Sequence, residues 1–140
     1  MSTLIRKIIS SAAGPKPVAA YNQAVVVDRT VYCSGCLGMD ENMKLVDGGA
    51  AAQTKKALEN LKNILEAADS GLDRVVKATI LLSNMDDYKA VNEEYAKVFT
   101  EGYPARTCYA VSKLPLGAAV EIEAISITGS VKTETDKPKL

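Results

Sequence analysis

The chain has 140 residues, of which 47% are hydrophobic, and its 17 basic residues balance its 17 acidic residues. This length predicts one domain with one core. A net charge of zero creates no long-range field that would attract nucleic acid or an anionic membrane, so neither is expected as a partner. We also predict no membrane span, because no apolar run approaches the required length.

Histidine is absent and only three cysteines occur. Without histidine, Ser-His and Cys-His nucleophilic designs and His-ligated metal sites are excluded, so we predict no metal and no other cofactor. Cys33 and Cys36 form a lone C-x-x-C at the end of a predicted strand. A zinc site needs a second such pair, and a thioredoxin-type motif lies where a helix begins. We therefore interpret both cysteines as reduced thiols, with Cys33 packed as a small apolar residue.

The first half of the chain predicts a strand, a hairpin and a helix. The β-branched segment 4–9 predicts a short strand, and two further strands, 24–27 and 30–34, form a hairpin that turns at Asp28-Arg29. Apolar residues at helical spacing predict a helix over residues 49–68.

A central strand and a second helix follow. Residues 75–82 form a nearly continuous apolar run, which is typical of a strand covered on both faces. Ser83 with Asp86 three residues later resembles a capping arrangement at the start of the next helix, and Gly102 is placed to end it. The buried stripe of this helix is predicted to consist of Tyr88, Val91, Tyr95 and Val98.

This order of elements predicts an α+β fold in which a single mixed β-sheet carries two helices on one face. Side chains alternate sides along a strand, and the runs 25–27 and 80–82 are apolar throughout, so neither face of the sheet is polar. Two helices cover only one face, so another subunit is expected to cover the other. The domain is predicted to span residues 1–130, and the polar segment 131–140 to be a loose tail.

The most informative stretch is Tyr103-Pro104-Ala105-Arg106-Thr107-Cys108, followed after the turn Leu114-Pro115-Leu116-Gly117 by Val120-Glu121-Ile122-Glu123-Ala124. Interpreted as a hairpin, it places Arg106 and Cys108 on one face of the first arm, opposite Glu121 or Glu123 on the second. A guanidinium among apolar residues must be paired or must bind an anion. Two alternatives follow, a cross-strand ion pair that holds the register and a binding site for an anionic ligand.

This stretch resembles the signature of the RidA/YjgF family, which consists of P-A-R-x-x, a Leu-Pro turn and an [IV]-E-[IV]-E-A strand. Residues 21–25, 31–40 and 91–95 resemble other blocks of the family in the right order. The resemblance extends from about Leu4 to Gly129. It implies a chorismate-mutase-like fold and a homotrimer whose active sites lie in the clefts between subunits.

The resemblance also implies an activity. In the family, the arginine at the position of Arg106 binds the carboxylate of 2-imino acids such as 2-iminopropanoate and 2-iminobutanoate, and the glutamate at the position of Glu121 orients water and passes a proton. The implied reaction is hydrolysis of the C=N bond to a 2-keto acid and ammonia. Glu123 is interpreted instead as a structural ion-pair residue. The remaining pocket residues implied by the resemblance are Tyr21, Ser34, Gly35, Asn92 and Cys108.

Some of these positions carry alternatives or depart from the family pattern. Asn92 either contacts substrate or tethers its helix to a loop. Cys108 is expected to shape the backbone and cavity rather than to act as a nucleophile. Cys36 stands where many relatives have glutamine, and Ala20 precedes Tyr21 in place of the frequent proline. These departures bear on substrate preference more than on the class of reaction.

Two other functions compete with the deaminase. One is an endoribonuclease that inhibits translation, although zero net charge and the lack of histidine argue against it. The other is a non-catalytic trimer that binds small carboxylates or protects other proteins with exposed apolar surface. We predict a cytoplasmic location. A mitochondrial or other organellar location is an alternative, because the segment before Asp28 contains no acidic residue, as is typical of mitochondrial presequences.

Overall fold

The computed structural model describes residues 1–136. Within them, six strands form one sheet in the order β1-β2-β3-β6-β4-β5. The elements are β1 (Arg6–Ile9), β2 (Ala24–Val27), β3 (Thr30–Leu37), α1 (Gly49–Ala67), β4 (Val75–Leu82), α2 (Tyr88–Val98), β5 (Ala105–Ala110) and β6 (Val120–Ile127). β4 and β5 are parallel, and the other neighbouring strands are antiparallel. This mixed sheet with two helices confirms the predicted α+β class.

The predicted hairpin and first helix are confirmed, although β3 continues past the predicted end at residue 34 to Leu37, and α1 ends one residue early, at Ala67. β2 and β3 turn at Asp28, whose φ of 57° is in the left-handed region that aspartate tolerates. α1 buries its apolar stripe against the sheet, and Leu58, Leu61 and Leu65 are almost completely inaccessible to solvent. β1 is shorter than the predicted strand, since it begins at Arg6 rather than at residue 4.

The second helix differs from the prediction at both ends. Asn84, not Ser83, provides the cap, since its Oδ1 accepts the N–H of Asp86 at 2.9 Å and starts a 3₁₀ turn ahead of α2. α2 ends at Val98, and Gly102 lies in the following loop with φ 56°. Of the predicted stripe, the inner two residues, Val91 and Tyr95, are buried. Neither helix in the described part of the chain is long and apolar enough to span a membrane.

β5 and β6 do not form the predicted hairpin. β4 lies between them, parallel to β5 and antiparallel to β6. Their connection, residues 111–119, is long enough to pass the end of β4, and two hydrogen bonds fix it there: Val111 N–H to the Leu82 carbonyl at 2.8 Å, and Ser83 N–H to the Ala119 carbonyl at 3.1 Å. β4, α2 and β5 thus form a βαβ unit, in which a helix joins two parallel strands.

The inserted strand also changes which side chains share a face. Residues aligned across neighbouring strands point to the same side of a sheet. Arg106 is aligned with Ala78, which is buried in the core beneath the helices. Glu121 is aligned with Leu81 on the opposite, open face, and Glu123 lies on that face too. The hairpin interpretation, which placed Arg106 opposite Glu121 or Glu123, is therefore wrong for a single chain.

The C-terminal tail, predicted over residues 131–140, is described as far as Asp136. Residues 131–136 contain no helix or strand. The last four residues of the predicted tail lie outside the described part of the chain. The boundary at residue 130 stays a prediction.

Candidate active site

Glu121 lies in a cleft of about 560 Å³ on the open face of the sheet, at one end of β6. β3 is its neighbour, and Leu37 pairs directly with Glu121. Three of the predicted pocket residues, Tyr21, Ser34 and Gly35, line the same cleft. The structure therefore brings Glu121 together with three of the residues that the resemblance implied.

A β-bulge shapes this cleft. The register between β3 and β6 shifts between Cys33 and Cys36, so Ser34 and Gly35 together oppose a single position of β6. A side chain at Gly35 would overlap the Glu121 carboxyl group, because an added Cβ would lie 2.7 Å from Glu121 Cδ. Only glycine allows the backbone to approach the carboxyl group this closely.

The polar residues beside Glu121 are anchored by local hydrogen bonds. Ser34 Oγ donates to the Asn22 carbonyl at 2.6 Å, which leaves the hydroxyl oxygen free to accept a hydrogen bond. Tyr21 Oη accepts the N–H of Val18 at 3.4 Å, and the ring is 44% exposed. Both hydroxyl groups are thus oriented before any ligand binds.

Glu121 is an ionisable group of the cleft whose pKa is shifted. Burial raises its pKa above the ordinary range, and the nearby Glu123 carboxylate raises it further. A carboxyl group in this state gains and loses a proton nearer to neutral pH than an exposed glutamate does. Glu121 is therefore suited to proton transfer.

Arg106 occupies a second cavity, of about 500 Å³, on the helix side of the sheet. Its Nη2 donates to Asn92 Oδ1 on α2. Its Cζ lies 4.7 Å from the ring centroid of Tyr95 and 5.8 Å from that of Tyr88, so the guanidinium stacks on aromatic faces. These contacts orient the guanidinium while leaving several of its donors for an anion. Asn92 thus positions Arg106. The sequence had indicated only two other roles for Asn92, substrate contact and tethering of its helix to a loop.

Cys108 follows Arg106 on the same face of β5 and is half-buried. Burial raises the pKa of its thiol, while the charge of Arg106 and a hydrogen bond from it act in the opposite direction. Cys108 is therefore protonated at neutral pH, which fits the expected role in shaping the cavity. The motif cysteines behave similarly, since burial raises the pKa of Cys33 to about 12 and also raises that of Cys36.

One chain therefore carries two half-sites on opposite faces. The first, called here the glutamate cleft, contains Tyr21, Ser34, Gly35 and Glu121. The second, the arginine cavity, contains Asn92 and Arg106, with Cys108 beside it. Among residues 1–136 Arg106 forms no ion pair, so the cross-strand pair with Glu121 or Glu123 is absent from the single chain.

Several residues of the site were missed by sequence reasoning. The aromatic rings beneath Arg106 were interpreted only as a buried helix stripe. Asn60 was not singled out, yet its buried Nδ2 donates to the carbonyls of Leu37 and Met39 at 3.0 and 2.9 Å and so fixes the wall of the glutamate cleft. The sequence did contain a signal for this role, because Asn60 is a polar residue within the apolar stripe of α1 and a buried amide needs hydrogen-bond partners. The apolar lining of the cleft was also missed; it includes Val18, Leu37, Met39, Met43 and Leu116.

The chain is similar to known proteins over most of its length. A family model described as Endoribonuclease L-PSP matches residues 11–128. The RutC family protein UK114 of Drosophila melanogaster is 60% identical over 136 residues, which are 96% of this chain and 99% of that protein. The 2-iminobutanoate/2-iminopropanoate deaminase of Bos taurus is 49% identical over 134 residues, 95% of this chain and 98% of the relative.

A solved structure agrees in fold. RidA from an Antarctic bacterium, Psychrobacter sp., superimposes with a TM-score of 0.84 at 42% identity, over 87% of this chain and 99% of that one. The chain therefore belongs to the Endoribonuclease L-PSP family, also called YjgF/RidA.

Proposed function

We propose that the protein hydrolyses the C=N bond of 2-imino acids, such as 2-iminopropanoate and 2-iminobutanoate, to 2-keto acids and ammonia. The observation that carries this proposal is the Glu121 carboxyl group, which has a raised pKa and lies beside Ser34 and Gly35 in the glutamate cleft. Such a group can accept a proton and return it within one catalytic cycle. The name of the bovine relative supports the class of substrate.

Arg106 recognises the substrate carboxylate. Its planar fork matches a carboxylate with two parallel hydrogen bonds, and Asn92 and Tyr95 hold the guanidinium in place. Anchoring the carboxylate fixes the position of the neighbouring imine carbon. This orientation reduces the entropic cost of bringing water to that carbon.

The reaction then needs only water and one proton carrier. Glu121, as the carboxylate, takes a proton from water while the water oxygen bonds to the imine carbon and the C=N electron pair moves to nitrogen. The protonated Glu121 returns this proton to the nitrogen. Glu121 then takes the proton of the new hydroxyl group as the keto group forms and passes it to the nitrogen as the C–N bond breaks, so that ammonia leaves and Glu121 is a carboxylate again. Ser34 Oγ is placed to accept a hydrogen bond from the attacking water.

We further propose that a homotrimer completes the active site, because Arg106 and Glu121 lie on opposite faces of one chain. In this assembly, β5 of one subunit places Arg106 against the glutamate cleft of the next. β5 is an edge strand, and the open face exposes about half of Tyr32 and of Tyr109, with exposed fractions of 47% and 49%. An unpaired edge and an exposed aromatic surface both favour contact with another copy.

The family description raises the alternative of an endoribonuclease. Binding of RNA needs clustered positive charge along the phosphate backbone. No lysine or arginine lies among the described residues that line the glutamate cleft, and the net charge of the chain is zero. The deaminase is therefore the better-supported function.

The test generates 2-iminopropanoate in place from alanine with an amino-acid oxidase and catalase, and follows the release of ammonia with and without the protein. We expect faster release with the protein, a large loss in Glu121→Gln, and little change in the matched control Glu123→Gln. Cleavage of RNA by a preparation washed at high salt, without any gain in ammonia release, would support the endoribonuclease instead. Binding of 2-keto acids without turnover would support the non-catalytic trimer.

A further inference from the structure

Glu121 lies where the paired part of the sheet ends. It is the second residue of β6, and its partner on β3, Leu37, is the last residue of that strand. The neighbour on the other side, β4, ends at Leu82, one position beyond Leu81, the partner of Glu121. Pairing with other strands therefore holds the backbone of Glu121 less firmly than that of residues in the middle of β6.

A small apolar cluster, called here the end cluster, lies beside Glu121 and is separate from the main core. Its buried members are Leu37, Met39, Leu114 and Ala118, and Met43, Leu45, Leu81 and Val111 pack against them. Apart from Leu81, these residues come from two segments, residues 37–45 at the end of β3 and residues 111–118 in the connection between β5 and β6. Apolar contacts hold the two segments together, but they are not directional, so they do not set the exact position of a backbone.

Two buried amide side chains of α1 bond to the backbone on either side of Glu121. Asn60 Nδ2 donates to the carbonyls of Leu37 and Met39 at 3.0 and 2.9 Å. Gln53 Oε1 accepts the N–H of Ala119, the residue directly before β6, at 2.8 Å. Asn60 follows Gln53 by seven residues, which is two helical turns or about 10 Å, so both side chains lie on one face of α1. One helix thus holds the end of β3 and the beginning of β6.

Gly38 brings the first of these segments against the backbone of α1. A Cβ added at Gly38 would lie 2.5 Å from the Gln53 carbonyl oxygen and 2.6 Å from Gln53 Cα. Only glycine allows two backbones to approach this closely. The contact sets the distance between α1 and the end of β3, and the hydrogen bonds of Asn60 set its direction.

The amides differ from the other buried residues of α1 in what they can fix. Leu58, Leu61 and Leu65 anchor the helix in the main core. A buried amide destabilises the fold unless it is hydrogen-bonded, and a hydrogen bond weakens steeply when its geometry is distorted. Gln53 and Asn60 therefore hold the two segments at defined positions relative to an anchored helix.

We propose that Gln53 and Asn60 are positioning residues for Glu121, which hold the backbone on both sides of it and so keep its carboxyl group where it meets the attacking water and the imine nitrogen. This inference rests on the proposed deaminase function. Neither residue lines the glutamate cleft or the arginine cavity, so both act through the backbone. They support proton transfer by Glu121 and leave carboxylate binding by Arg106 unchanged.

The size of the effect follows from the precision that proton transfer needs. Displacement of a reacting group by about 1 Å costs roughly a hundredfold in rate. Each variant loses the bonds of one amide while the other amide and the end cluster remain, so we expect a smaller displacement and a fall in kcat of about tenfold. The dissociation constant of the 2-keto acid product should stay within about twofold of the wild-type value, because Arg106 binds its carboxylate.

The experiment compares variants that keep the shape of the side chain. Asn60→Leu and Gln53→Met remove the hydrogen bonds, whereas Gln53→Glu keeps an oxygen that accepts the N–H of Ala119 in either protonation state. Thr54→Val is the matched control, because the buried Thr54 Oγ1 donates to the Ala50 carbonyl within α1 at 2.7 Å. This control removes a buried hydrogen bond of the same helix that does not lead to Glu121.

Three quantities are measured on each protein: kcat for 2-iminopropanoate generated in place, the dissociation constant of pyruvate, the corresponding 2-keto acid, and the melting temperature. We expect kcat to fall about tenfold in Asn60→Leu and Gln53→Met, with pyruvate binding unchanged. In Gln53→Glu and Thr54→Val kcat should stay near the wild-type value, although Thr54→Val lowers the melting temperature as well. Gln53→Met breaks a single bond, so it tests the inference even if Asn60→Leu, which breaks two, does not fold.

The outcomes separate positioning from stability and from the function itself. If folded Gln53→Met keeps the wild-type kcat, or if Gln53→Glu or Thr54→Val loses as much kcat as Gln53→Met, positioning is refuted and the deaminase stands. Positioning is also refuted if pyruvate binding weakens as much as kcat falls. If the wild type does not accelerate ammonia release, the proposed function fails and this inference fails with it.

Discussion

Arg106→Lys separates carboxylate recognition from structural pairing, because it keeps the positive charge and removes the planar fork. Arg106 donates to Asn92 and stacks on Tyr95, and within residues 1–136 it forms no ion pair with a carboxylate. Charge-assisted hydrogen bonds are worth about 1.5–3 kcal/mol each, so loss of the bidentate contact should remove roughly 3 kcal/mol of transition-state binding. This corresponds to a fall in kcat/KM of about a hundredfold.

Stability should change much less. The lost stacking and the altered bond to Asn92 lie at a partly exposed site, so we expect the melting temperature to fall by no more than about 5 °C. The assay is steady-state turnover of 2-iminopropanoate beside a melting curve on the same preparation. Wild-type kcat/KM in the folded variant would refute the role of Arg106. So would a loss of activity that only follows the loss of folded protein.

Four further outcomes are expected. Glu121→Gln should reduce turnover by at least a hundredfold while a 2-keto acid still binds, and Glu123→Gln should change turnover less than tenfold; equal losses would identify a structural carboxylate pair. Burial raises the pKa of Glu121 in the folded state above its unfolded value near 4.5. The contribution of this group to the free energy of unfolding is therefore fully present below the unfolded pKa, and it is lost as pH rises through the folded pKa. Melting temperature measured against pH should therefore fall less steeply across this interval in Glu121→Gln than in the wild type. Gly35→Ala should lower activity by roughly tenfold or more, because its Cβ would displace the Glu121 carboxyl group; retained activity would show that the carboxyl group can move without penalty. Sedimentation at micromolar concentration should give a trimer, and a well-folded monomer that is fully active would contradict the shared site.

Local structure was largely predictable from the sequence because it depends on local patterns. The helical spacing in residues 49–68 led to α1, and the continuous apolar run gave β4 with its correct bounds, Val75–Leu82. The predicted cap was misplaced by one residue, because Ser83 and Asn84 are both good capping residues and only the backbone geometry shows that Asn84 caps the 3₁₀ turn ahead of α2.

The relation between the two half-sites was not predictable in the same way. Alternation along a strand shows which residues of that strand share a face, but not which strand lies beside it. The apolar run of β4 indicated a central strand covered on both faces, but it did not indicate that this strand lies between β5 and β6. The members of each half-site were identified by resemblance, whereas their separation onto opposite faces depends on this long-range pairing.

The separation of Arg106 and Glu121 has a genetic consequence. In the proposed trimer each active site takes its arginine from one subunit and its glutamate from the neighbour, so no subunit supplies both to the same site. Two alleles that are each inactive, one altered at Arg106 and the other at Glu121, would then complement each other. Random mixing of equal amounts leaves roughly one site in four with both residues intact. Such a locus would show partial rescue between null alleles, which an active site contained within one chain never allows.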